Sequence, residues 1–88
     1  MTKEQMTHLL ARLQQLQQEV VGKACDFKIA TYKEFDEDKT QAFPAVSFSV
    51  FHNDSYVDSG ILHGTDSYEE GCKAVESFEF NLRHIGWI

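Results

Sequence analysis

The segment Ala45-Val46-Ser47-Phe48-Ser49-Val50-Phe51-His52-Asn53-Asp54-Ser55-Tyr56-Val57-Asp58-Ser59-Gly60-Ile61-Leu62-His63 decides the fold. Val46, Phe48 and Val50 alternate with Ser47, Ser49 and Phe51, the period-two pattern of a strand with one buried face. Asn53-Asp54 fits a two-residue hairpin turn, because both side chains tolerate positive φ. A further strand then runs from Tyr56 to His63. A two-residue turn fixes the register. It pairs Val50 with Val57, Phe48 with Ser59 and Val46 with Ile61, an apolar row directed inward. The other row pairs Phe51 with Tyr56, Ser49 with Asp58, Ser47 with Gly60 and Ala45 with Leu62, and looks outward.

Upstream, Phe27, Ile29 and Thr31 alternate with Lys28, Ala30 and Tyr32, which predicts another half-buried strand. The polar stretch 34–41 joins it to the central strand as a loop. Pro44, the one proline, stands at a strand start, where a missing N–H is tolerated. A helix over about 2–21 precedes this sheet. Met6, Leu9, Leu10, Leu13, Leu16 and Val20 recur at three and four. Thr2 and Gln5 have capping-box spacing, and Met1 with Met6 fits a hydrophobic staple. Gly22 is a stop signal. A second helix over about 66–85 follows. Asp66 and Glu69 have capping-box spacing, and Tyr68, Val75, Phe78, Leu82 and Ile85 share a stripe that Gly71 interrupts. Gly86 suits a left-handed C-cap, with Trp87 folding back on Leu82.

The predicted class is α+β, in the order α-β-β-β-α. A three-stranded antiparallel meander carries two helices packed on one face, because each helix has one apolar stripe and the sheet one apolar row. The chain has 88 residues, 42% apolar and 25% charged. That is one domain, 1–88, of ordinary globular composition. No apolar run reaches the ~20 residues of a membrane helix. The polar start carries no secretory signal, so the expected location is cytoplasmic and Cys25 and Cys72 are expected to be reduced.

The net charge of −6 opposes direct nucleic-acid binding, which draws its affinity from Lys and Arg on phosphates. The α-β-β-β-α order resembles, in topology alone, that of the double-stranded-RNA-binding domain. That family sets its first inter-strand loop and a Lys-rich start of the second helix against phosphates. Here the helix start reads Asp66-Ser67-Tyr68-Glu69-Glu70-Gly71-Cys72-Lys73 and the loop carries three acids before Lys39. Binding of RNA by that mode is therefore not expected.

Catalytic and metal chemistry find no constellation. His52 and His63 fall near opposite ends of the hairpin, roughly 26 Å apart at ~3.3 Å per residue, and His8 and His84 lie on helices. The stretch Asp36-Glu37-Asp38-Lys39-Thr40 has calcium-loop flavour, yet Gln41 and Ser47 stand where Gly and Glu belong. No nucleophile elbow, P-loop or dinucleotide fingerprint occurs. No enzyme, cofactor or metal is predicted.

Surfaces remain. Tyr32, Phe51, Tyr56 and Leu62, among the small Ala30, Ser47 and Ser49, form an outward sheet face suited to a partner. Phe80 points away from its helix's stripe and joins the candidate interface residues. Asp36, Glu37 and Asp38 are expected to approach Asp66, Glu69 and Glu70 as an acidic pole, which steers a basic partner. The expected function is a small acidic, non-catalytic interaction module. It would inhibit or regulate a basic, nucleic-acid-binding protein by docking on it. The alternative is a dimeric chaperone or adaptor that holds a client through the outward sheet face, with self-association as the expected form of that contact.

Overall fold

A computed structural model describes residues 1–20 and 26–87. The elements are α1 (Lys3–Glu19), β1 (Asp26–Phe35), β2 (Ala42–His52), β3 (Ser55–His63) and α2 (Tyr68–His84). The sheet order is β1-β2-β3, antiparallel throughout. The α-β-β-β-α order and the antiparallel meander with both helices packed on the sheet stand as predicted.

Local chemistry sets the element ends. Thr2 caps α1 through the Gln5 N–H, and the Gln5 side chain answers to the Thr2 N–H, a complete capping box. Gly22, the expected stop of this helix, lies outside the described residues, as does Cys25. At α2 the cap falls one residue later than expected. Ser67, not Asp66, accepts the Glu70 N–H at 3.1 Å, because Asp66 is taken up in the turn leaving β3. Its N–H bonds the His63 carbonyl at 3.0 Å. The far end of α2 closes as a Schellman motif. Gly86 has φ 84, and the Trp87 N–H reaches back to the Leu82 carbonyl at 3.0 Å.

The core lies between helices and sheet. Leu9, Leu13 and Leu16 of α1 meet Val75, Phe78 and Leu82 of α2 over Phe27, Val46, Phe48, Val50 and Leu62. Phe78 is its centre, edge-on to Phe27 at 5.4 Å and to Phe48 at 4.8 Å between ring centroids, the arrangement the ring quadrupoles favour. Gly71 permits the close crossing of the helices. A Cβ there would stand 2.6 Å from Leu9 Cδ1.

The β2–β3 register departs from the expected one. Asn53 and Asp54 do take positive φ, 51° and 63°, and Phe51 pairs with Tyr56. A bulge then places Val57 without a counterpart, so Val50 pairs with Asp58, Phe48 with Gly60 and Val46 with Leu62. One extra residue reverses which side every later residue faces. Leu62, expected outward, is in the core at 0% exposure, and Ile61, expected inward, is 45% exposed. The physical reason is volume. A Cβ on Gly60 would lie 2.5 Å from the Phe48 ring, so only glycine leaves room for that ring on the buried face.

Three β1–β2 pairs, Lys33–Pro44, Glu34–Phe43 and Phe35–Ala42, extend beyond the last β2–β3 pair, Ala45–His63. At ~3.3 Å per residue the β1–β2 hairpin overhangs by about 10 Å. The molecule is correspondingly long, 42 × 24 × 16 Å. Pro44 sits where the overhang begins. Its carbonyl accepts the Gly64 N–H at 2.8 Å. Pro44 has no N–H to return, and the Gly64 carbonyl instead accepts the Met1 nitrogen at 2.7 Å.

Candidate functional site

The sheet face turned away from the helices is uncovered. Tyr32 of β1, Ala45, Ser47, Ser49 and Phe51 of β2, and Tyr56, Ser59 and Ile61 of β3 lie on it, as the pairings require. Small side chains run down its middle, and Tyr32, Tyr56 and Ile61 flank them together with Lys28, Glu34, Ser59 and His63. Near the hairpin turn, Phe51 and Tyr56 stack edge-to-face at 6.0 Å, and the Tyr56 hydroxyl lies 3.1 Å from the Ser59 hydroxyl. At the opposite end, Glu34 Oε1 and His63 Nδ1 meet at 2.7 Å. This bond joins β1 to β3 over β2. With Tyr32 it encloses Ala45, which is 1% exposed. The carboxylate raises the His63 pKa above its ordinary value, chiefly by accepting the ring N–H.

Three of the sequence-predicted interface residues, Tyr32, Phe51 and Tyr56, share this face. Leu62 does not, for the bulge turns it into the core. Phe80 is exposed on α2, beside the His84 ring at 6.3 Å, and so belongs to the helix layer. Ile61 takes the place on the face that the expected register gave to Leu62. The signal that finds it is Gly60, which only the shifted register sets opposite Phe48.

The acidic residues come from two segments, the β1–β2 turn and the start of α2. Asp36 organises the β1–β2 turn. It accepts the Thr40 N–H at 2.7 Å and the Thr40 hydroxyl at 2.8 Å. These bonds, the hydroxyl first, hold its pKa below the ordinary value. Glu37 and Asp38 occupy the tip of the overhanging hairpin. Asp66, Glu69 and Glu70 stand at the start of α2, where Glu69 pairs with Lys73 at 3.4 Å. Among the described residues no hydrogen bond or ion pair joins the two groups, and no three carboxylate, imidazole or thiol side chains converge as metal ligands. The charge is nonetheless lopsided along the chain. Residues 1–33 hold three acids and five bases, whereas residues 34–88 hold eleven acids and three bases.

Two further features lie elsewhere on the molecule. An open groove of about 580 Å³ runs under the overhang, between Met1 and Lys3 on one side and Thr31, Lys33, Ala42 and Pro44 on the other. Cys72 is a free, half-buried thiol, and its proximity raises the pKa of the Tyr68 hydroxyl above the ordinary value. No described helix is long and apolar enough to cross a membrane. No protein-family model, curated protein or solved structure matches this chain.

Proposed function

We propose that this chain is a non-catalytic protein-interaction module whose docking surface is the uncovered sheet face. The observation that carries the reading is the cluster of exposed Tyr32, Tyr56 and Ile61 with the half-buried Phe51, around a strip of small residues. Such a surface suits a partner that offers an apolar patch of its own, since aromatic side chains bring large contact area at low entropic cost. The two layers leave the opposite sheet face without a cover, with hydroxyls of Ser47, Ser49 and Ser59 between its aromatic side chains.

The test is site-specific photocrosslinking in native lysate, with the reactive residue at Ser49 on the sheet face or at Ser77 on α2. The expected outcome is a protein captured from Ser49, retained at high salt and lost on Phe51→Glu. Capture from Ser77 alone, abolished by salt, would overturn this reading.

That second outcome belongs to the other reading, docking of the acidic side on a basic, nucleic-acid-binding protein. Its support is the excess of eleven acids over three bases in residues 34–88, with Glu70 and Glu76 exposed on α2. Opposite fields of this kind act chiefly on association rate and vanish with salt.

A further inference from the structure

We propose that two copies of this chain pair through the outer edge of β1, antiparallel about a two-fold axis at Thr31, and join their sheets into one. The inference is independent of which partner the sheet face takes.

The direction of the backbone groups identifies the edge. The Asp36 N–H bonds the Gln41 carbonyl and the Gly64 N–H bonds the Pro44 carbonyl. Along β2, then, odd-numbered residues face β1 and even-numbered ones face β3. In β1 the even-numbered residues bond β2, and Phe27, Ile29, Thr31, Lys33 and Phe35 aim N–H and C=O away from the sheet. Gln17 corroborates this, for its Nε2 reaches the Phe27 carbonyl from outside at 2.9 Å. Beyond that carbonyl, no side chain or loop among the described residues bonds the edge groups of Ile29, Thr31 and Lys33. An open row of this kind is a template for another strand.

The other edge is partly blocked. On β3 the Asp58 carboxylate accepts the Ser59 N–H at 2.9 Å, and the Asp66 carboxylate accepts the His63 N–H at 3.4 Å. Carboxylates plug two of the edge donors of β3 and repel an incoming copy.

The β1 sequence is complementary to itself. With the axis at Thr31, Ala30 faces Tyr32 of the other copy, Ile29 faces Lys33, Lys28 faces Glu34 and Phe27 faces Phe35. Odd residues meet odd residues, so the outward N–H and C=O groups coincide and the central pairs, Thr31 with Thr31 and Ile29 with Lys33, exchange two hydrogen bonds each. Lys28 and Glu34 lie on the uncovered face, Phe27 and Phe35 on the helix face. Phe35, 61% exposed in the single chain, gains a cross-strand aromatic neighbour. Moving the axis to Ala30 sets Asp26 against Glu34 and Lys28 against Tyr32, which loses the charge match. The Thr31 register sets Asp26 opposite Asp36, which lies one residue past β1 and whose carboxylate is held in its own turn by Thr40.

The pairing also enlarges the uncovered face. One three-stranded sheet offers roughly 14 × 30 Å from standard strand spacings, well below the ~800 Å² per side of a stable interface. The joined sheet doubles it.

Analytical ultracentrifugation across the micromolar range tests the proposal, with the fold followed by circular dichroism. The wild-type chain is expected to dimerise reversibly. Thr31→Pro removes an N–H that points only at the partner, so the ladder to β2 survives. It should weaken the dimer by about tenfold or more with an unchanged spectrum. Lys28→Glu and Glu34→Lys should each be monomeric alone and form a heterodimer when mixed, because the mixture restores both charge pairs. A wild-type chain that stays monomeric overturns the proposal. So does a dimer indifferent to Thr31→Pro but broken by Phe51→Glu.

Discussion

The Glu34 carboxylate and the His63 imidazole bond at 2.7 Å across the central strand, above Ala45. The bond couples the two outer strands of the sheet at one end of the uncovered face. Because it raises the His63 pKa, its stabilising contribution is fully present below the ordinary histidine value, ~6.5. That contribution is lost as pH rises through the folded-state value. Both groups are partly exposed, so the effect is small and weakened by salt. Glu34→Gln is expected to bring the His63 titration midpoint, followed by NMR, back toward the ordinary value. A midpoint that does not move would show that the carboxylate is not its cause.

The bulge at Val57 makes adjacent residues opposite in consequence. Leu62→Ala should destabilise the fold by about 2–5 kcal/mol, as for other buried leucines. Ile61→Ala, on the uncovered face, should stay within about 1 kcal/mol. Urea denaturation of the two variants measures the difference directly. Equal losses would mean that the register has no such bulge.

Gly60→Ala is a sharper probe of the same register. The new Cβ would lie 2.5 Å from a ring carbon of Phe48, and that ring is fixed against Phe78. A loss of about 1–3 kcal/mol is expected from overpacking. Phe48→Leu in the same background should recover part of it, since the shorter side chain vacates the contact. Failure to recover would point to backbone strain instead.

The cap of α2 distinguishes neighbouring residues too. Ser67→Ala removes the acceptor for the Glu70 N–H and should cost about 0.5–2 kcal/mol. Asp66→Asn keeps an acceptor oxygen for its weak 3.4 Å contact with the His63 N–H and should cost less. Thermal unfolding of the two variants orders them. The reverse order would restore Asp66 as the cap.

On the uncovered face, Tyr56→Glu should leave the fold intact. Tyr56 is exposed, and its contacts are the Phe51 ring and the Ser59 hydroxyl. Partner capture through Ser49 should fall by at least about tenfold. Loss of fold in this variant, seen by circular dichroism, would place Tyr56 in the core instead.

The sequence by itself determined the elements and their order. Helical stripes at three and four, alternation at two, the Thr2 and Gln5 box, the Asn53-Asp54 turn and the Gly86 cap are all local signals. Each acts within a few residues, and the structure realises each of them. The faces of β1 and β2 were equally legible, which is why Tyr32 and Phe51 lie where alternation put them. The tertiary structure alone decided the rest. The Val57 bulge arises because the Phe48 ring must find room opposite Gly60, a contact between strands that periodicity does not encode. That one residue exchanged Leu62 for Ile61 on the outward face. The overhang of the hairpin likewise depends on where β3 stops against β2. Strand propensity says that β1 has an edge. Only the hydrogen-bond phase, fixed by Pro44, Gly64 and Gln17, says which residues present it.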